Sequence, residues 1–188
     1  LAKSCDRLSP MTTRSWPHDA PAQDAMPTTR GLNFFLEDGN FQFLCESVMG
    51  AEVYARARPH LTDLGAIAGD ELDALAAIAD RNPPVLRVWD ERGQRVDEIV
   101  RHPAYRRMEE IAFSRFGLAA MAHRPGVLGW PGRAPQVLKY ALSYLFAQAE
   151  FGLLCPVNMT DSCARMLGAF GSEELKARYL PHLTPTEF

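Results

Sequence analysis

Two adjacent acids, Glu109 and Glu110, are the residues in this sequence that most resemble a catalytic pair. Two carboxylates in one site could act as a general acid and a general base. Neighbouring residues on a helix, however, point about 100° apart, so these two are poorly placed to share one site. The spacing therefore favours solvated acids beside Arg106 and Arg107, and it predicts no carboxylate site.

Two further candidates lie close together, Glu150 in an apolar run and Cys155 after it. Burial would raise the pKa of Glu150 and could make it a proton donor or acceptor. An exposed flank, or pairing with a basic residue of a neighbouring helix, is the alternative that we favour. Cys155 has no histidine near it in sequence, which favours a buried, inert thiol over a nucleophile.

Motifs for metal, nucleotide or hydrolase chemistry are missing from the sequence. It has no CxxC, GxSxG, P-loop or GxGxxG pattern, and no two histidines have the spacing of metal ligands on a helix. The histidines are scattered: His18, His60, His102, His123 and His182. We predict no metal site, and residue chemistry alone names no reaction.

The chain has 188 residues, 47% of them hydrophobic, and a formal net charge of −3, which is typical of one globular domain. Between residues 101 and 139 the charge is basic overall, because this segment has seven basic residues and only two acidic ones. These seven are Arg101, Arg106, Arg107, Arg115, Arg124, Arg133 and Lys139. This basic segment could contact DNA or a phosphate-bearing ligand such as coenzyme A, but a solvated helix face is the interpretation we favour.

Cysteine usage and hydropathy favour a cytoplasmic protein. Cys5, Cys45, Cys155 and Cys163 form no dense framework, so we expect reduced, mostly buried thiols. The longest apolar stretch, residues 137–154, includes Lys139 and Glu150, which argues against a membrane span.

The first part of the chain predicts a leader followed by two helices. Prolines among polar residues indicate a disordered leader over residues 1–30, and residues 31–38 predict an apolar segment that docks on the helices. Asn40 is the predicted N-cap of a helix that Pro59 ends. Asp70 is the predicted cap of a second helix, which residues 82–84, Asn-Pro-Pro, end.

Loose alternation predicts a short hairpin within residues 85–100, and Pro103 then suits the first turn of a helix. Pro135 begins a strongly apolar helix that includes Phe151 and is predicted to end at Cys155-Pro156. A helix over about residues 161–170 follows, and then another, capped by Ser172 and stopped by Pro181. The sequence thus predicts an all-α fold, an antiparallel helical bundle with one short extended excursion.

Two segments carry a resemblance to a known family. Residues 149–160 read Ala-Glu-Phe-Gly-Leu-Leu-Cys-Pro-Val-Asn-Met-Thr, and residues 171–181 read Gly-Ser-Glu-Glu-Leu-Lys-Ala-Arg-Tyr-Leu-Pro. The second resembles the G-[ST]-x-E-x-K-x-x-Y-L-P helix of flavin-dependent acyl-CoA dehydrogenases. With Asn82-Pro83-Pro84 and residues 102–105, His-Pro-Ala-Tyr, the pattern is similar to the AidB-like branch of that family, which is associated with the adaptive response to DNA alkylation.

The resemblance implies that residues 31–188 are the N-terminal helical domain of the acyl-CoA dehydrogenase fold. In that family a β-rich middle domain and a C-terminal helical domain follow and hold FAD between them, and the catalytic base is C-terminal. No residue here therefore inherits a catalytic or cofactor-binding role. The resemblance places Phe151, Leu154 and Met159 in the wall of the acyl pocket. It further implies an acyl-CoA-like substrate, a homo-tetramer, and DNA contacts only through the C-terminal region.

The ends of the chain favour a fragment. Residue 1 is not methionine, Met11 could be a start, and the sequence ends at Phe188, before the expected middle domain. We expect an N-terminal domain fragment of an FAD-dependent oxidoreductase that contributes the acyl-pocket wall and an oligomer scaffold, and that is inactive alone. The alternative is a stand-alone helical interaction module without catalysis.

Overall fold

Helices form most of residues 28–187, which are the residues that the computed structural model describes. The all-α prediction is confirmed, and most of the predicted leader, residues 1–27, lies outside the described residues. The helices are α1 (Phe34–Glu37), α2 (Gly39–Met49), α3 (Ala51–Ile67), α4 (Asp73–Arg81), α5 (Pro103–Glu109), α6 (Gln136–Ala149), α7 (Phe151–Phe170) and α8 (Glu173–Leu183). The strands are β1 (Val85–Trp89) and β2 (Arg95–Val100).

The first helices begin and end at other residues than the sequence predicts. Asp38, not Asn40, caps α2, because its Oδ1 accepts a hydrogen bond of 2.8 Å from the backbone N–H of Phe41. The break that follows is at Gly50, whose φ of 74° favours glycine, and the predicted stop at Pro59 is wrong, since Pro59 lies inside α3.

α3 continues into α4 through a π-helical turn, Ala68–Leu72. The prediction that Asp70 caps a second helix is therefore wrong, because Asp70 lies within this turn and no helix begins there for it to cap. The predicted end at Asn82 is confirmed, since α4 ends at Arg81. α5 also runs into a π-helical turn, Glu110–Arg115.

Residues 31–35 lie directly on the helix surface at two glycines. A Cβ on Gly69 would lie 1.8 Å from the carbonyl oxygen of Leu32, and one on Gly65 would lie 2.4 Å from Asn33 Oδ1. The N–H of Gly31 donates to the carbonyl of Gly69 at 2.7 Å. The absence of side chains at the two glycines allows this approach, which leaves Phe35 fully buried, as expected of the docking segment.

The predicted hairpin is confirmed as an antiparallel pair in which Val85 lies opposite Val100. Its apolar side chains are largely exposed. Pro103 is the first residue of α5, as predicted, and His102 caps that helix through Nδ1, which accepts a hydrogen bond from the N–H of Ala104.

The long helix predicted to end at Cys155-Pro156 is two helices. Glu150 has extended backbone angles and separates α6 from α7, which includes Pro156 and continues to Phe170. The Glu150 Oε1 accepts a hydrogen bond of 2.7 Å from the N–H of Leu153 and so caps α7. Ser172 caps α8 as predicted, but Pro181 lies inside that helix and does not stop it.

α6 is central to the core. Its buried face carries Leu138, Leu142, Leu145 and Phe146, all fully buried. α6 packs on α2, α3 and α7, α4 packs on α5, and α8 packs on α7. The outer surface of α7 is therefore free to take part in a site.

Candidate functional site

An apolar stripe runs along the outer surface of α7. Five of its side chains recur at spacings of four or seven residues, which places them within about 100° of one another around the helix. We call these residues the α7 stripe: Phe151, Cys155, Met159, Met166 and Phe170. All five are exposed, Phe170 to 86%. The nineteen steps from Phe151 to Phe170, at 1.5 Å each, give the stripe a length of about 28 Å.

The three residues predicted to form the acyl-pocket wall lie on two sides of α7. Phe151 and Met159 belong to the stripe and are 76% and 67% exposed, whereas Leu154 is 6% exposed and packs in the core. Phe151 begins α7, so the prediction that it belongs to the helix that Pro135 begins is wrong. The prediction that Cys155 is buried is wrong for the same reason, because the helix break turns it outward.

A second feature is a cavity of about 780 Å³ formed by residues 122–136, α7 and α8. Its lining is strongly basic, and within the described residues it contains no Asp or Glu. The basic members are His123, Arg124, Arg133, Arg165 and Lys176. Gln136, Thr184 and small or apolar residues such as Ala164 and Leu180 form the rest of the wall.

A buried charge network lies next to this cavity. Lys139 of α6 donates to Asp161 Oδ2 at 3.0 Å and to Asn158 Oδ1 at 2.8 Å, and both charged side chains are almost fully buried. His123 Nε2 lies 2.7 Å from the other Asp161 oxygen, Oδ1. Asp161 thus connects α6, α7 and the segment before α6. Sequence reasoning missed this network, although a single lysine in a helix as apolar as α6 is a signal for a buried partner.

The basic segment, residues 101–139, is largely engaged within the chain. Arg101 pairs with Glu109, Arg115 pairs with Asp63, and Lys139 is buried in the network. Arg107 pairs with Glu71 and Glu110. These arginine side chains remain 43–44% exposed, so apart from the buried Lys139 the segment is the solvated face that the sequence favours, with most of its charges paired within the chain.

The acid candidates have structural partners. Glu110 lies beside Arg106 and Arg107, as predicted, whereas Glu109 turns toward Arg101 at 2.8 Å. Burial raises the pKa of the Glu109 carboxyl, against the opposing effect of Arg101. Glu150 is occupied in capping α7. Each of these three acids therefore already has a partner for its carboxylate.

The described cysteines are free thiols with different environments. Burial, assisted by the charge of Asp38, raises the pKa of Cys45 to about 11, so that thiol is unreactive near neutral pH. Cys155 and Cys163 are exposed on α7. Within residues 28–187 no three His, Cys, Asp or Glu side chains are grouped closely enough to hold a metal ion.

A protein-family model matches most of this chain. The family model of the adaptive response protein AidB N-terminal domain matches residues 25–188. The chain belongs to the AidB N-terminal domain family. The two segments that carry the resemblance, residues 149–160 and 171–181, lie inside the matched range, and they form the helix break before α7, the first half of α7 and most of α8.

Two individual proteins show the same relationship for the AidB-like chain. The Escherichia coli (strain K12) protein named "Putative acyl-CoA dehydrogenase AidB" is 32% identical over 165 residues, which is 81% of this chain and 28% of that protein. A solved structure, Bd2924 in its apo-form, superimposes with a TM-score of 0.74 at 29% identity and covers 87% of this chain and 31% of that one. The chain thus spans less than a third of either relative.

An unpartnered buried polar atom in a cavity would indicate where the flavin that the wider family implies could bind. Among residues 28–187 the buried side-chain polar atoms without a hydrogen-bond partner are Ser114 Oγ, Trp130 Nε1 and Ser143 Oγ, and none of these residues lines the basic cavity or the apolar groove between α2 and α6. No described helix combines the length and the apolar content needed to cross a membrane.

Proposed function

We propose that this AidB-like chain is the N-terminal domain of an FAD-dependent acyl-CoA dehydrogenase-like oxidoreductase. In the parent protein it contributes a wall of the acyl pocket and part of the oligomer scaffold. The observation that carries the proposal is the α7 stripe, a row of five exposed side chains about 28 Å long, interrupted by the exposed Ser162 between Met159 and Met166. It lies on a domain that spans less than a third of the length of its relatives.

An exposed apolar surface of this length favours a protein or an apolar ligand as its cover, because monomeric soluble proteins rarely expose large contiguous apolar patches. Phe151 and Met159 have no charged group and suit an acyl chain. Leu154, on the buried side of α7, holds the helix against the core and thereby fixes the position of the wall.

In the reaction, FAD would accept the hydride from the substrate, and other domains would hold the flavin and the base. The side chains of this domain would orient the acyl chain and exclude water from it. Because the α7 stripe has no carboxylate, we assign proton abstraction to a residue outside this chain.

A stand-alone helical interaction module is the second candidate, and the exposed hairpin favours it. Val85, Leu86 and Ile99 are apolar and more than half exposed, and a partner protein could cover them together with the α7 stripe. This candidate predicts a partner protein but no flavin chemistry, so kinetic effects on acyl-CoA oxidation distinguish it from the oxidoreductase domain.

We propose that the parent protein is cytoplasmic and forms a homo-tetramer. The free thiols of Cys45, Cys155 and Cys163 support a reducing compartment. We assign any DNA contact of the parent, and its role in the response to DNA alkylation, to residues outside this chain, because most of the basic segment is paired internally.

The wall is tested in a chimera in which this chain replaces the matching N-terminal segment of the E. coli relative. Replacing Met159 with lysine should leave flavin content unchanged and lower kcat/KM for a long-chain acyl-CoA at least about tenfold, because an ammonium group would enter an apolar pocket. Leu175→Lys on α8, where the leucine is also partly exposed, is the control and should change kcat/KM less than about twofold. Equal effects of the two substitutions on kcat/KM would contradict the proposal that Met159 lies in the wall of the acyl pocket.

The isolated chain should carry no flavin. We expect the purified protein to lack a visible flavin absorbance band and to leave acyl-CoA unoxidised, because in the proposed parent other domains hold the flavin and the base. Absorbance spectroscopy and an electron-acceptor assay measure this. A stoichiometric flavin band with turnover would overturn the assignment of cofactor binding to other domains.

A further inference from the structure

We propose that the basic cavity between residues 122–136, α7 and α8 binds the phosphate group of a small organic molecule. The proposal does not depend on the acyl-CoA function, since none of the five residues of the α7 stripe lines this cavity. It rests on the charge, the shape and the lining of the cavity.

The charge around the cavity is unbalanced. Arg124, Arg133, Arg165 and Lys176 line it from three segments of the chain. Among the described residues, two carboxylates pair with these cations. Glu173 pairs with Lys176, and Asp161 lies 3.9 Å from Arg165 while it already contacts Lys139 and His123. The positive charge that remains favours an anion with more than one negative charge.

The arginines leave hydrogen-bond donors available to a ligand. Arg133 makes no hydrogen bond or ion pair with another residue of the described range 28–187. Arg165 donates to Gln136 Oε1 and Arg124 to the carbonyl oxygen of Thr184, so each guanidinium is held in place through part of its donor set. Oriented guanidinium groups match the geometry of a phosphate better than ammonium groups do.

The size and the remaining wall favour an organic molecule over a free ion. A volume of about 780 Å³ lies within the range of about 300–1,000 Å³ that is typical of small-molecule sites. Ala134, Ala164 and Leu180 supply an apolar surface beside the cations. A concave site of this kind suits a phosphate on a small molecule and not the convex backbone of a DNA duplex.

The test uses the full 188-residue chain with ADP as the probe and adenosine as the ligand without phosphate. Isothermal titration calorimetry at constant ionic strength should show saturable binding of ADP and much weaker binding of adenosine. Arg133→Gln should weaken ADP binding about tenfold or more, because a hydrogen bond between two charged groups is lost. Arg133 is exposed and has no partner among residues 28–187, so this substitution should leave the fold intact.

The matched control is Arg178→Gln, which removes an exposed arginine of α8 that does not line the cavity. It should change the dissociation constant for ADP less than about twofold. Equal weakening by R133Q and R178Q would show binding to the general positive charge and overturn the proposal. Equal affinities for ADP and adenosine, or no saturable binding of ADP, would overturn it as well.

Discussion

Replacing Asp161 with asparagine should lower the free energy of unfolding by about 3 kcal/mol or more. Asp161 is the carboxylate that neutralises the buried Lys139, and the same group contacts His123. The variant keeps the size of the side chain but leaves an ammonium group buried with only neutral oxygens as partners, which is among the most costly single changes in a core. Chemical denaturation followed by circular dichroism measures the loss.

Two control variants separate the buried charge from other effects of the Asp161 change. Asp63→Asn breaks a largely exposed ion pair with Arg115 and should cost less than about 1 kcal/mol. The double variant Lys139→Met/Asp161→Leu removes both buried charges and should recover much of the stability that Asp161→Asn loses. If Asp161→Asn costs no more than Asp63→Asn, the network is not the structural connection we describe.

Replacing Gly69 with alanine should destabilise the domain by about 2 kcal/mol or more. The new methyl group would lie 1.8 Å from the carbonyl oxygen of Leu32, so residues 31–35 would have to move off the helix surface. That movement would disturb Phe35, which is fully buried. The midpoint of thermal unfolding and the intrinsic fluorescence of the chain report the change.

Gly168→Ala is the matched control for the Gly69 prediction, because Gly168 also lies within a helix but has no atom within 4 Å of the position of a Cβ. It should stabilise the chain by up to about 1 kcal/mol through the better helix propensity of alanine. Opposite signs for the two substitutions are expected. A stabilised Gly69→Ala variant would contradict the close approach.

The fold class could be predicted from the sequence because local signals determine it. The apolar pattern of residues 135–149, the proline at position 103 and the Ser172 cap each indicate a helix or its beginning by local chemistry. Single prolines were poor guides to helix ends, because Pro59, Pro156 and Pro181 all lie inside helices, whereas the Asn-Pro-Pro sequence at residues 82–84 correctly indicates the end of α4. Packing on neighbouring helices stabilises these helices despite the hydrogen bond that each proline lacks.

The candidate sites were harder to predict because they depend on contacts between distant residues. The break at Glu150 determines which face of α7 points outward, and a prediction that joins α6 to α7 loses the stripe. The basic cavity combines Arg133 with Arg165 and Lys176, which are more than thirty residues away in sequence. Only the family resemblance directed attention to Phe151 and Met159.

We propose that other domains of the parent protein cover the α7 stripe of this AidB-like domain. The most direct test of this proposal is alkylation of Cys155 by iodoacetamide, resolved by peptide mass spectrometry, in the isolated chain and in the chimera with the E. coli relative. Cys45 is the internal control and should stay unmodified in both proteins. The account predicts rapid modification of Cys155 in the isolated chain and at least about tenfold slower modification in the chimera. Equal rates in a folded, flavin-bearing chimera would contradict it.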